Sequence, residues 1–231
     1  MIELGPIKAI AFDLDGTLVD SAPDIAAALD AALLAAGLRR FDLVAVRAWV
    51  GDGPDALISR ALAAQNLADA PPELRASLRR GFDAHTLAAP LDHGHVFDGI
   101  PELLAGLDRH FPMSVVTNKP SHLARAVLDA AGLSVFTVSV HGADTAELRK
   151  PAPGLLLAAA QRLSVPRERL LMVGDSTPDM LAARNAGCPA ALVAWGYGHD
   201  GVPEHLRPWR VAEPQHLLQA LMNGRQPALA D

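Results

Sequence analysis

The sequence predicts an α/β fold in which a doubly wound parallel sheet carries an inserted all-helical segment. Three observations lead there. Short apolar runs stop abruptly at polar or glycine residues, as Ile7–Phe12 does before Asp13-Leu14-Asp15-Gly16-Thr17; helical patterns separate the later runs; and the interval from Leu18 to Ala89 reads as helices with no strand pattern. Apolar runs of this length read as buried parallel strands. Their alternation with helices gives the Rossmann-like, doubly wound arrangement.

Each element has its own signal. After Ile7–Phe12 the strand-like runs are Met113–Thr117, Leu170–Gly174 and Ala190–Ala194, with Val135–Val140 as a further strand. Helical patterns cover Ser121–Ala131, Pro153–Leu163 and Pro178–Ala186. The inserted block reads as Ala22–Ala36 ended by Gly37, Asp42–Val50 ended by Gly51, Pro54–Gln65 and Pro72–Leu87. Pro54 and Pro72 stand where a helix tolerates proline, in its first turn. The expected division is a catalytic core of residues 1–17 and 90–231 and a helical cap of residues 18–89. Such a cap would lie over the crevice at the carboxyl ends of the strands, where sheets of this kind bind ligands. The tail from Asn223 to Asp231 reads as frayed.

Composition narrows the function. A chain of 231 residues suits one substantial domain and a smaller one. One cysteine cannot form an internal disulfide, and no charged-then-apolar leader opens the chain, so the cytoplasm is the expected compartment. Apolar runs are broken well before the ~18 residues of a membrane span, so no membrane partner is expected. A net charge of -6 argues against a nucleic-acid partner and leaves room for a small anionic ligand. Monomer and homodimer both remain open.

Chemistry gathers at the ends of the predicted strands. Asp13 and Asp15 follow the first strand, with Gly16-Thr17 to turn the chain; such pairs also serve as plain turn formers. Asp175 and Asp179 follow another strand, where either also suits a helix cap. Two acidic loops at the ends of parallel strands make a hard oxygen site of the kind that holds Mg²⁺. Thr117 and Asn118 end a third strand with a hydroxyl and an amide able to bond phosphate oxygens. Lys150, before Pro151-Ala152-Pro153, is either solvated or the ammonium that offsets the carboxylates and holds the phosphate.

These segments, in this order, resemble the haloacid dehalogenase-like superfamily of aspartate-nucleophile phosphatases. The matching stretches are Asp13-Leu14-Asp15-Gly16-Thr17, Thr117-Asn118, Lys150-Pro151 and Gly174-Asp175-Ser176-Thr177-Pro178-Asp179. A closer similarity, to the bacterial phosphoglycolate phosphatases, rests on Leu18–Asp24, Arg47–Gly53, Val116–Pro120 and Arg149–Pro153. The resemblance implies Asp13 as nucleophile and Asp15 as acid and base. It implies Mg²⁺ on the Asp13 and Asp175 side chains and the Asp15 carbonyl, with Asp179 binding directly or through water. Thr117, Asn118 and Lys150 would hold the phosphate of a small phosphorylated metabolite, most simply 2-phosphoglycolate. Alternatives are another sugar or amino-sugar phosphate, a phosphomutase, or a regulatory module that keeps phosphate on Asp13. A dehalogenase fits less well, because Asp15 occupies the acid-base position.

The remaining polar residues divide. Lys119, next to Asn118, is a further candidate for phosphate. Arg47 and Gly51 belong to the expected cap; Arg47 suits either a substrate carboxylate or solvent. Gly51-Asp52-Gly53-Pro54-Asp55 imitates the later metal loop but follows a helix, so it reads as a cap hinge or a substrate-contacting turn, with Gly51 a candidate substrate contact. His93 and His95 read as linker, Cys188 as a small buried hydrophobe, and Asp20 and Asp24 as caps of the first helix. The Trp195–Gly201 loop falls at the core's mouth with no assigned task.

Overall fold

The computed structural model describes residues 7–206 and 208–224. Its elements in chain order are β1 (Ala9–Phe12), β2 (Val19–Asp20), α1 (Ala22–Ala35), α2 (Leu43–Arg47), α3 (Pro54–Ala63), α4 (Pro72–Ala88), β3 (His95–Val96), α5 (Ile100–Asp108), β4 (Met113–Thr117), α6 (Ser121–Ala130), β5 (Ser139–Gly142), α7 (Gly154–Arg162), β6 (Leu170–Gly174), α8 (Thr177–Ala186), β7 (Ala190–Val193), β8 (Trp209–Val211) and α9 (Pro214–Met222). Among the described residues the main sheet has the order β5-β4-β1-β6-β7-β8, with all pairs parallel. The chain leaves β1 for β4 on one side and β6 on the other, which makes the carboxyl end of β1 the switch point where such sheets bind ligands.

Strand alternation divides the interior into two layers. In β1, Ile10 and Phe12 join one apolar cluster with Leu103, Leu104, Val127 and Leu217, while Ala9 and Ala11 join another with Leu155, Ala159, Met172 and Ala183. Helices therefore cover both faces, and β1 is buried along its whole length. Helices α1–α4 build a third cluster around Leu29, Leu33, Leu57, Leu62, Leu78 and Phe82, and Leu123 of α6 joins it from the sheet side. The helical block thus has its own core and rests against α6.

Two short strands guard the junction. β2 and β3 pair antiparallel, Val19 with Val96 and Asp20 with His95, so the chain leaves for the helical block and returns from it side by side. Asp24 seals this exit: its carboxylate accepts the backbone N–H groups of Asp92, His93 and Gly94, each at 2.8 Å. The expectation that Asp20 and Asp24 cap α1 is therefore wrong. Asp20 instead binds Tyr197 and Arg47.

Other departures are local. The further strand expected over Val135–Val140 is present but displaced: Ser134–Phe136 forms a single 3-10 turn and the edge strand is Ser139–Gly142, with Val135 79% and Val138 46% exposed. The helix expected over Asp42–Val50 ends at Arg47. Strands β2, β3 and β8 and helices α5 and α9 had no expectation. Of the tail expected to fray, residues 225–231 lie outside the described residues.

Removing the Asp24 carboxylate would leave three backbone donors without their acceptor. Asp24→Ala is expected to lower stability by about 3 kcal/mol and the melting temperature by roughly 6–12 °C, measured by calorimetry. A melting temperature equal to that of the parent protein would show that the seal contributes nothing.

Candidate active site

The carboxyl ends of three neighbouring strands deliver the polar residues to one place. Asp13 follows β1, and its backbone N–H still bonds Val173 O at 2.8 Å, so the residue is held by the sheet's ladder. Immediately beyond, three consecutive N–H groups, those of Thr17, Leu18 and Val19, turn back to Leu14 O. Gly16 makes this turn possible with φ +88°, and a Cβ there would lie 2.6 Å from Asp175 Oδ2. Only glycine lets the two acidic loops pack this closely.

Lys150 links three of the converging segments. Its ammonium donates to Asp13 Oδ1 at 2.7 Å, to Asp179 Oδ1 at 2.6 Å and to Val116 O at 3.0 Å, which uses all three protons. Asp179 is fixed from its other oxygen, which accepts from Ser176 N at 3.1 Å and Ser176 Oγ at 2.6 Å in a capping box at the start of α8. Asp175 Oδ2 accepts from the backbone N–H groups of Tyr197 at 2.7 Å and Gly198 at 3.1 Å.

Charge in this cluster does not balance. Oxygens of Asp13, Asp175 and Asp179 lie within 4.8 Å of one another, and all three residues are buried. Set against the one ammonium of Lys150, three carboxylates leave a formal excess of two negative charges. Burial pushes the Asp13 carboxyl up to about 7, with Asp179 and Asp175 adding to the rise and Lys150 opposing it. Burial and Asp179 push Asp175 up to about 6 against the two backbone bonds. Burial alone would lower Lys150; the Asp13 and Asp179 carboxylates outweigh it and hold the ammonium well above its usual range. A hard oxygen donor set with this excess fits a divalent cation.

A second ion pair faces the first. Asp15 Oδ1 accepts from Ser21 Oγ at 2.5 Å and from Lys119 Nζ at 2.6 Å, with Lys119 itself buried. Thr117 Oγ1 accepts the Lys119 N–H at 3.2 Å, leaving its own hydroxyl proton free to point elsewhere. Asn118 ties three segments together: Nδ2 donates to Gly51 O at 2.9 Å and Lys150 O at 3.2 Å, and Oδ1 accepts the Lys150 N–H at 2.7 Å. Between these groups and the helical block lies a cavity of about 30 Å³. Its polar wall is Asp13, Asp15, Thr117 and Lys119, and its apolar wall includes Ile25, Leu57 and Phe82, with Gly51 at the rim between them.

Of the residues singled out in the sequence, Asp13, Asp15, Thr117, Asn118, Lys119 and Gly51 line this cavity, and Lys150, Asp175 and Asp179 back it. Arg47 stands apart, bonded to Asp20 at 3.0 Å. Asp52 pairs with Arg60, and Asp55 with Arg79, so the imitation metal loop stays out of the carboxylate cluster. Cys188 is buried, and burial pushes its thiol up to about 12, in keeping with an inert apolar role. His93 and His95 lie in the return segment, and no histidine or cysteine joins the metal-competent cluster among the described residues. Two contacts escaped sequence reasoning. Ser21 had no signal at all, whereas Gly196 and Gly198 around Tyr197 were a signal of close backbone approach. A Cβ on Gly196 would collide with Asp175 and with the carbonyl of Gly16.

Fold and site together define an α/β enzyme whose central strand presents a buried carboxylate to an ammonium and to a metal-competent pair of further carboxylates. The family model described as haloacid dehalogenase-like hydrolase matches residues 7–187. Phosphoglycolate phosphatase of Vibrio cholerae serotype O1 is 42% identical over 197 residues, 84% of this chain and 87% of the relative. The phosphoglycolate phosphatase of Escherichia coli O157:H7 is 36% identical over 99% of this chain and 95% of its own. Among solved structures, a predicted phosphoglycolate phosphatase from Haemophilus somnus 129PT superposes with a TM-score of 0.84 at 28% identity, covering 92% of this chain and 97% of that one. The chain belongs to the haloacid dehalogenase-like hydrolase family and is a phosphoric monoester hydrolase. No helix among the described residues is long and apolar enough to cross a membrane.

The raised carboxyls make a test without substrate. In metal-free protein, Asp13 binds its proton more tightly folded than unfolded, with a value moved from 3.8 to about 7. Its contribution to stability is therefore present at low pH and lost as pH rises through about 7. Adding Mg²⁺ is expected to raise the melting temperature more at about pH 8 than at about pH 5, where protons compete for the same oxygens. An equal rise at both would show that the ion binds elsewhere.

Proposed function

We propose that this protein is a Mg²⁺-dependent phosphatase that hydrolyses 2-phosphoglycolate by way of a phosphate ester on Asp13. The observation that carries the reading is Asp13 itself, buried at the tip of the central strand between Lys150 and two further carboxylates, on the wall of the cavity. Its carboxylate attacks phosphorus and displaces the alkoxide, which splits one hard displacement into two easier ones. Asp15, across the cavity with Ser21 and Lys119 holding its Oδ1, gives a proton to the leaving oxygen. In the second half it takes one from the water that frees Asp13. Thr117 would bond a transferring oxygen through its free hydroxyl proton, and the Lys150 ammonium, its three protons already placed, would offset the developing charge through its field.

Mg²⁺ would be held by the Asp13 and Asp175 side chains and the Asp15 carbonyl, and would supply the positive charge that lets one anion approach another. Asp179, with one oxygen on Lys150 and the other on Ser176, suits a bond through water. Asn118, whose amide joins Gly51 to the Lys150 loop, supports this arrangement and holds the rim of the helical block down.

The substrate reading rests on charge. Lys119 offers a cation for a carboxylate next to the phosphate, whereas the apolar wall offers few partners for the hydroxyls of a sugar. The relatives named phosphoglycolate phosphatase support the same choice. On this reading residues 18–89 form a cap that closes over a core of residues 1–17 and 90–231, in a metabolic enzyme of the cytoplasm. On this reading the β2–β3 pair, with Val19–Asp20 just inside the cap's range and His95–Val96 just inside the core's, would serve as the hinge.

Phosphate release from a panel of 2-phosphoglycolate, sugar phosphates, amino-sugar phosphates, nucleotides and pyrophosphate is expected to favour 2-phosphoglycolate and to cease with a chelator. Activity that survives chelation would exclude the metal; equal rates across the panel would exclude the substrate. Asp13→Asn is expected to abolish release from every member of the panel. Asp15→Asn is expected to lower turnover of alkyl phosphates by about 10²–10⁴-fold while sparing phosphoenzyme formation from aryl phosphates, and equal losses for both leaving groups would remove its acid role.

A further inference from the structure

The loop Trp195-Gly196-Tyr197-Gly198 supplies no group to the chemistry above, yet its bonds run to the nucleophile turn, to Asp175 and to the segment that leads into the helical block. Trp195 Nε1 donates to Thr17 O at 2.9 Å, just past the nucleophile turn. The N–H groups of Tyr197 and Gly198 hold Asp175 Oδ2. The Tyr197 hydroxyl donates to Asp20 Oδ1 at 2.6 Å in β2, and accepts the Ala22 N–H at 3.1 Å at the start of α1. Arg47 of α2 bonds the same Asp20 carboxylate at 3.0 Å and lies over the Tyr197 ring, 5.4 Å from its centre. Phe97, just after β3, packs against the ring from its own side, 6.4 Å between centres.

Tyr197 is therefore one residue with its backbone on a carboxylate of the active site and its side chain on the hinge and on the helical block. We infer that Tyr197 is a positioning residue that clasps the helical block shut: its phenol, Asp20 and Arg47 form a latch that must open for substrate to enter and re-form for it to react.

Cavity size supplies the need for such a latch. The space under the block is about 30 Å³, room for about two waters, so a phosphorylated acid would enter with the block lifted. The strengths of the contacts assign the parts. Arg47 and Asp20 are 42% and 15% exposed in their side chains, and an ion pair that wet is weak alone. The phenol–carboxylate bond is more sheltered and charge-assisted, so it is the stronger member. Burial and the Asp20 bond keep the phenol well above its usual range, so it remains a donor at any working pH. The ring also gives Arg47 a face to rest on when the block is down.

This inference rests on the phosphatase reading only for its kinetic arm. Amide exchange in the substrate-free enzyme tests the latch without any substrate. Tyr197→Phe keeps the ring and the backbone bonds to Asp175 and removes the hydroxyl; Ala22 N–H exchange is expected to quicken about tenfold. Arg47→Met leaves the bond between Ala22 and the phenol in place, yet is expected to quicken Ala22 exchange about threefold, because the latch opens as a unit. With 2-phosphoglycolate, Tyr197→Phe is expected to lower kcat about tenfold, because the closed reacting form is less populated, with KM unchanged or lower, because the open form that admits substrate is more populated, and the double variant Tyr197→Phe, Arg47→Met to be little worse than Tyr197→Phe alone. Ala22 exchange in Arg47→Met within experimental error of the parent, or losses in kcat that multiply in the double variant, would overturn the latch. Failure of 2-phosphoglycolate as a substrate, with the exchange results as expected, would overturn the substrate and leave the latch standing.

Discussion

A buried excess of negative charge governs this structure. Asp13, Asp175 and Asp179 converge within 4.8 Å around the single ammonium of Lys150, in a setting where burial already favours neutral carboxyls. Isolated, such a cluster is costly. Every surrounding feature reduces that cost: a capping box takes one oxygen of Asp179, two backbone N–H groups take one of Asp175, and the ammonium takes one each from Asp13 and Asp179. What is left over is a demand for two positive charges, and this demand gives the family's site its appetite for a divalent ion.

The neighbouring pair, Asp15 with Lys119, is balanced where the first cluster is not. Two carboxylates two residues apart in sequence thus sit in opposite electrostatic settings, one pressed toward neutrality and one facing its own cation. Attack needs Asp13 ionised, so on the proposed mechanism the Lys150 ammonium and a divalent cation would have to offset the burial that favours its neutral form. The turn at Gly16 is what lets residues this close in the chain face different partners.

Much of this was legible in the residues because the sheet core is a repeating code. Met113–Thr117 and Leu170–Gly174 could be read to the residue, since a fully buried parallel strand is a bare apolar run ending in glycine or a polar group. Asp13 and Asp15 stood out at the end of the first such run, and Asp175 and Asp179 after Leu170–Gly174. Elements β2, β3 and β8 were illegible for the same reason reversed: two or three residues carry no period. Val135–Val140 misled because β-branched residues lie in a turn whose valines face outward. Long-range polar bonds were hidden altogether. Asp24 looks like any helix-start acid until the return segment is brought against it, and Ser21 gives no hint of Asp15. The pairing of Lys119 with Asp15, and of Arg47 with Asp20 instead of the cavity, likewise depended on where the helical block comes to rest.

The β2–β3 ladder has a further consequence. Because outgoing and returning chain run as hydrogen-bonded neighbours, with Val19 opposite Val96, both chain crossings to the seventy-odd intervening residues are gathered in one narrow, two-strand socket. Closing a longer or shorter excursion across paired ends changes its entropy only slowly with length. A module plugged in this way can be exchanged over evolutionary time for one of different size or lining, so that new specificities arise by transplant while the reactive machinery below stays untouched.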